Sequence, residues 1–119
     1  MGDRSITVFK DGDDYSPGIY MHWTGTETPF YIKAASPRFR AGDAAYSAAR
    51  FCGYCHTMLD GNTGLGLFHP PPDGDKTDWS FDGYGPGDAG VFVVDVNTGK
   101  VTVHDHDGEH TFDLGKLPT

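Results

Sequence analysis

Cys52-Gly53-Tyr54-Cys55-His56 has the Cys-x-x-Cys-His spacing by which c-type haem is covalently attached. Its setting points elsewhere. Haem attachment takes place outside the reducing cytosol, and the chain opens Met1-Gly2-Asp3-Arg4-Ser5-Ile6 with no basic start leading into an apolar run. The expectation is therefore a cytoplasmic protein whose thiols stay reduced. The motif also sits about two turns inside an amphipathic pattern, away from the helix N-terminus that lowers a thiol pKa in thioredoxin-type sites. Structural zinc wants four ligands, commonly two such pairs, and no second pair is present. Cys52 and Cys55 are thus expected to pack as small hydrophobes, with no cofactor.

Val103-His104-Asp105-His106-Asp107-Gly108-Glu109-His110 offers three imidazoles and several carboxylates. If Asp107-Gly108 is a two-residue hairpin loop, His106 faces Glu109 and His104 faces Thr111, while His110 lies on the other face with Val103 and Phe112. That arrangement denies a three-histidine metal site and leaves, as an alternative, a two-histidine-plus-carboxylate surface site from His104, His106 and Glu109. Asp11-Gly12-Asp13-Asp14 and Asp73-Gly74-Asp75 lack the glycine and glutamate positions of a calcium loop, and no nucleophile elbow, phosphate loop or dinucleotide fingerprint occurs.

What remains is recognition chemistry. Between Lys33 and Leu59 four bases (Lys33, Arg38, Arg40, Arg50) face one acid, Asp43, in a chain of net charge −8. A basic patch on an acidic body can take a phosphate or carboxylate while bulk nucleic acid and anionic membrane are repelled. Tyr20-Met21-His22-Trp23 supplies rings that can stack on a base and a histidine that can donate to it. The ligand-binding set expected from the sequence is Arg4, Tyr20, His22, Trp23, Arg38, Arg40, Arg50, Asn62 and Trp79, with the basic segment and the Tyr20, His22, Trp23 strand forming one pocket. No metal ligand or catalytic residue is assigned; His22 is the one side chain suited to general acid or base work, should the protein be an enzyme.

A chain of 119 residues with seventeen glycines and eight prolines suits a single domain, 1–119, rich in turns. Ser5 to Lys10 and Gly18 to Trp23 alternate as strands and are expected to form a hairpin. Thr28-Pro29 starts a short helix that Ser36-Pro37 interrupts, with threonine as its cap. Asp43 caps the main helix, in which Ala44, Ala48, Phe51, Cys55 and Met58 form the buried stripe while Arg50 and Thr57 lie off it. Leu65 to Phe68 makes a short strand, and 69–90 shows no regular period. Val91 to Val96, apolar on both faces, is a central strand leading into a three-stranded meander. The expected fold is α+β: an antiparallel sheet of about five or six strands with one principal helix packed on it.

Four stretches, namely Met1-Gly2-Asp3-Arg4, Ser16-Pro17-Gly18-Ile19-Tyr20-Met21-His22-Trp23, Asn62-Thr63-Gly64-Leu65-Gly66 and Gly87-Asp88-Ala89-Gly90-Val91-Phe92, together resemble a group of short uncharacterised proteins encoded by phages, prophages and other mobile elements. The resemblance implies a genomic setting and supplies no catalytic residue. Small proteins of that setting often inhibit host defence by binding, so the expected function is a non-enzymatic inhibitor that sequesters a small anionic, nucleotide-like ligand in the bacterial cytoplasm. The alternative partner is a host defence protein, bound through Asp73, Asp75, Asp78, Asp82 and Asp88 acting as mimics of nucleic-acid phosphates. Neither direct nucleic-acid nor membrane binding is expected, and a homo-oligomer is allowed.

Overall fold

In the computed structural model, residues 5–12, 14–21, 27–59, 65–68, 90–105 and 108–114 are described. The strands are β1 (Ser5–Asp11), β2 (Asp14–Tyr15), β3 (Gly18–Met21), β4 (Leu65–Phe68), β5 (Gly90–Asp95), β6 (Lys100–Asp105) and β7 (Gly108–Asp113). Two helices, α1 (Thr28–Ala35) and α2 (Ala44–Leu59), lie between β3 and β4 and are separated by a 3-10 turn at Ser36–Arg38. The architecture is α+β, with sheet order β4-β3-β1-β5-β6-β7 and the two-residue β2 added beside β1.

The sheet is mixed, where the sequence suggested a purely antiparallel one. β1 pairs with β3 in antiparallel register, Ile6 opposite Tyr20, but runs parallel to β5, with Val8 opposite Val93. The physical reason is the connection. Strands adjacent in sequence close as hairpins, whereas β1 and β5 are separated by both helices, and such a long crossover lets two strands enter the sheet in the same direction. Burial on both faces accompanies this position: Ile6 and Val8 on one side of β1 and Ser5, Thr7 and Phe9 on the other are all buried.

Both helices cover the Ser5, Thr7 and Phe9 side. Phe9, Ile19, Met21, Ile32, Phe51, Cys55, Phe92, Val94 and Val101 belong to the main core there, while Ile6, Val8, Val91 and Val93 form a second cluster on the opposite face with Tyr15 and Tyr20 against it. Thr28 does not cap α1, as the sequence suggested; the cap position is Glu27, and the Thr28 hydroxyl instead shares a buried 2.7 Å hydrogen bond with Ser5, tying α1 to β1. Asp43 does cap α2, its Oδ1 accepting from the Tyr46 N–H at 2.9 Å.

The α2 stripe is as expected from Ala44 through Cys55, but Met58 is 50% exposed. At the far end of the sheet Asp105 pairs with Gly108 and His104 with Glu109. The expected register is therefore displaced by two residues. A shift of two preserves faces where a shift of one would exchange them, so His104 and Glu109 share one face and His110 lies opposite Val103 on the other. The loop before α2 is closed from a distance: Gly42, at φ +76°, donates its N–H to Asn97 Oδ1 at 2.7 Å, and the Asn97 amide donates to Asp11. Among the described residues, no helix is long and apolar enough to cross a membrane.

Candidate functional site

The basic segment folds into a defined shape because one aromatic residue anchors it. After the 3-10 turn, Phe39 is extended (φ −75°, ψ 156°) and its N–H donates to Ser36 O at 3.1 Å. Its ring meets Phe9 edge-on, with centroids 4.9 Å apart, and Phe9 in turn contacts Phe51 at 5.5 Å. With Phe39 turned inward, Arg38 and Arg40 on either side of it are exposed. Buried Ser47 of α2 then fixes the Arg40 backbone. Its Oγ accepts from the Arg40 N–H at 2.9 Å and lies 3.0 Å from the Asp43 carbonyl, while the Asp43 N–H donates to Arg40 O at 3.2 Å.

α2 contributes the rest. Tyr46 and Arg50, four residues apart, share one helix face. The Arg50 guanidinium lies 4.6 Å from the Tyr46 ring centre and that of Arg40 lies 5.2 Å from it, so both cations converge on one aromatic ring. A hollow of about 410 Å³ opens here, lined by Pro37, Arg38, Phe39, Arg40, Tyr46 and Arg50. Beside it lies a second of about 460 Å³, lined by Arg38, Ala49, Arg50, Gly53, Tyr54, Thr57 and Met58.

Charge at the cluster is poorly compensated. Arg40 Nη1 is 4.0 Å from Asp43 Oδ2 with both side chains well exposed, a geometry worth little in water. Arg38 and Arg50 make no ion pair among the described residues. Planar guanidinium forks match carboxylate and phosphate oxygens, and such charge-assisted bonds are stronger than neutral ones. With guanidinium and hydroxyl donors lining them, these hollows are suited to holding an anion.

Arg38, Arg40 and Arg50 of the expected set are therefore brought together, and Tyr20 is not among them. Tyr20 sits opposite Ile6 and packs with Ile6, Val8, Val91 and Val93, whereas α2 covers the Ile19 and Met21 side. Strand alternation puts the sheet itself between Tyr20 and the arginines, so the pocket joining the basic segment to this strand does not form at Tyr20. Arg4, His22, Trp23, Asn62 and Trp79 lie outside the described residues, as do His106 and the aspartates at 73, 75, 78, 82 and 88. Sequence reasoning missed Tyr46, Tyr54 and Thr57 as lining residues. The available signal was the spacing of Tyr46, Arg50, Tyr54 and Met58, each four residues from the last on an exposed helix flank.

Of the two cysteines, Cys55 is buried in the main core and Cys52 lies on the neighbouring flank of α2. Cys52, with Pro17, Ile19, Ala45, Ala48, Ala49, Gly53, His56 and Leu67, lines an apolar hollow of about 540 Å³ against β3 and β4. Burial pushes the Cys52 thiol up, and burial together with the neighbouring Cys52 pushes Cys55 up to about 12. These shifts oppose the thiolate chemistry of a redox centre. The raised Cys55 value has a stability consequence. The fold favours the neutral thiol, so its contribution is complete below the ordinary value of 9.0 and is lost as pH rises from there towards 12. Urea melts across that window should show wild type losing stability more steeply than Cys55→Ala; equal slopes would contradict the burial of Cys55.

At the other end of the sheet, His104 Nδ1 lies 3.6 Å from Glu109 Oε2, and His110 belongs to the opposite face. Among the described residues no group of three or more histidine, cysteine, aspartate or glutamate side chains is arranged to hold a metal ion. Comparison of the chain with protein-family models, with curated proteins and with solved structures finds no match to any of them.

Proposed function

We propose that the protein binds a small phosphorylated, nucleotide-like anion at the Arg38, Arg40 and Arg50 cluster and holds it without chemical turnover. The observation that carries this is the convergence of Arg40 and Arg50 on the Tyr46 ring, with Arg38 lining the same hollow. Three cations brought together on a chain of net charge −8 repel one another unless something anionic joins them. The acidic remainder disfavours long polyanions, whose many charges meet the whole surface, more than it disfavours a compact ligand carrying one or two phosphates. In the mobile-element setting implied by the sequence motifs, such a protein acts as a sponge, lowering the free concentration of a nucleotide on which a host defence depends.

A thermal-shift screen of mono-, di- and cyclic nucleotides tests this. A ligand present at a hundred times its dissociation constant adds about 2.7 kcal/mol to stability, a shift that is easily resolved in a domain of this size. The gain should shrink as salt rises. No stabilisation by any nucleotide, together with salt-sensitive binding to a basic defence protein, would instead favour the acidic-mimic role.

A further inference from the structure

The two hollows on the outer flank of α2 share Arg38 and Arg50 and differ in chemistry. The first is dominated by guanidinium groups. The second is floored by Ala49 and Gly53, where a Cβ added to the glycine would meet nothing within 4 Å, and is rimmed by Tyr54, Thr57 and Met58. Met58 is the residue expected in the core that is instead 50% exposed, an apolar side chain left in water at the edge of a cationic site. Tyr54 is held edge-on to Tyr31 with ring centres 6.2 Å apart. The Thr57 hydroxyl donates to Gly53 O at 3.0 Å, which fixes its rotamer and leaves its oxygen able to accept.

These features answer different parts of one ligand. Anion affinity alone needs neither an exposed methionine nor a shelf made of alanine and glycine. A flat ring uses both, because aromatic and thioether side chains stack on a ring face and small residues let it approach the helix closely. From Arg50 to Met58 the helix rises about 12 Å, comparable to the length of a nucleoside monophosphate. Resting on the anion-binding role of the arginines, we infer that the site is two-lobed: the phosphate of a nucleoside monophosphate sits among Arg38, Arg40 and Arg50, and its base lies in the neighbouring lobe against Tyr54 and Met58. Specificity for the base then belongs to the second lobe.

Calorimetric titration of the full chain separates the lobes, using the four common nucleoside 5′-monophosphates, ribose 5-phosphate and inorganic pyrophosphate as probes. At least one nucleoside monophosphate should bind about tenfold or more tightly than ribose 5-phosphate, a preference equivalent to about 1.4 kcal/mol. Met58→Ala should reduce that preference sharply without changing ribose 5-phosphate binding. Gly53→Leu, which fills the shelf with a good helix former and so preserves the fold, should abolish it. If pyrophosphate and ribose 5-phosphate bind but no base adds affinity, or if both variants retain the preference, the base lobe is refuted and the anion site stands. If none of the probes binds, both fall.

Discussion

Arg50→Ala is expected to weaken binding of a nucleotide ligand by roughly ten- to a hundredfold while changing stability by no more than about 0.5 kcal/mol. Arg50 lines both hollows and its guanidinium lies over the Tyr46 ring, so its removal deletes a charge-assisted hydrogen-bond donor and leaves Arg40 alone over that ring. The side chain is exposed, which is why the fold should hardly register the loss. Arg50→Lys is the informative companion. Lysine keeps the charge but not the planar fork, so it should recover only part of the affinity if bidentate phosphate contacts matter. Wild-type affinity in Arg50→Ala, measured by calorimetry at low salt, would remove Arg50 from the site.

Phe9→Ala should produce the largest loss of stability, about 3–5 kcal/mol against the 5–15 kcal/mol typical of a folded domain. Phe9 is wholly buried and its ring contacts both Phe39 and Phe51, so it joins β1 to the basic segment and to α2 at once. The same change should weaken ligand binding under conditions where the variant is still folded, because Phe39 loses the partner that holds Arg38 and Arg40 on either side of it. Phe9→Leu, which keeps most of the volume, should lie between the two. Urea denaturation measures the first effect and titration below the transition the second; a cost under about 1 kcal/mol would be inconsistent with the packing described.

Much of this arrangement was legible in the chain because local chemistry and tertiary structure agree. Asp43 at the start of an alanine-rich pattern marks the cap that forms, and alternation in Ile19, Tyr20 and Met21 separates the two faces of β3 correctly. The parallel pairing of β1 with β5 was not legible, since no local residue pattern encodes which distant strand becomes a neighbour. Burial on both faces of Val91 to Val94 was a hint of centrality and not of direction. Met58 misled for another reason. Helical spacing continues the buried stripe to the end of α2, but Met58 near that end is 50% exposed, and periodicity carries no information about where a covering layer stops. The arginine cluster was visible as a local excess of charge; that Tyr46 lies under two of the cations depended on where the 36–40 segment lies against α2.

The most direct test of the anion site is an amide chemical-shift titration of the isotopically labelled protein with the best-stabilising nucleotide. Saturable shifts among the described residues confined to 36–58, strongest near Arg40, Tyr46 and Arg50, are the predicted result, since among the described residues the cluster and both hollows are lined by that segment alone. Saturable shifts centred on Tyr20 and its neighbours across the sheet, with the 36–58 amides unmoved, would place the ligand on the opposite face and contradict the account.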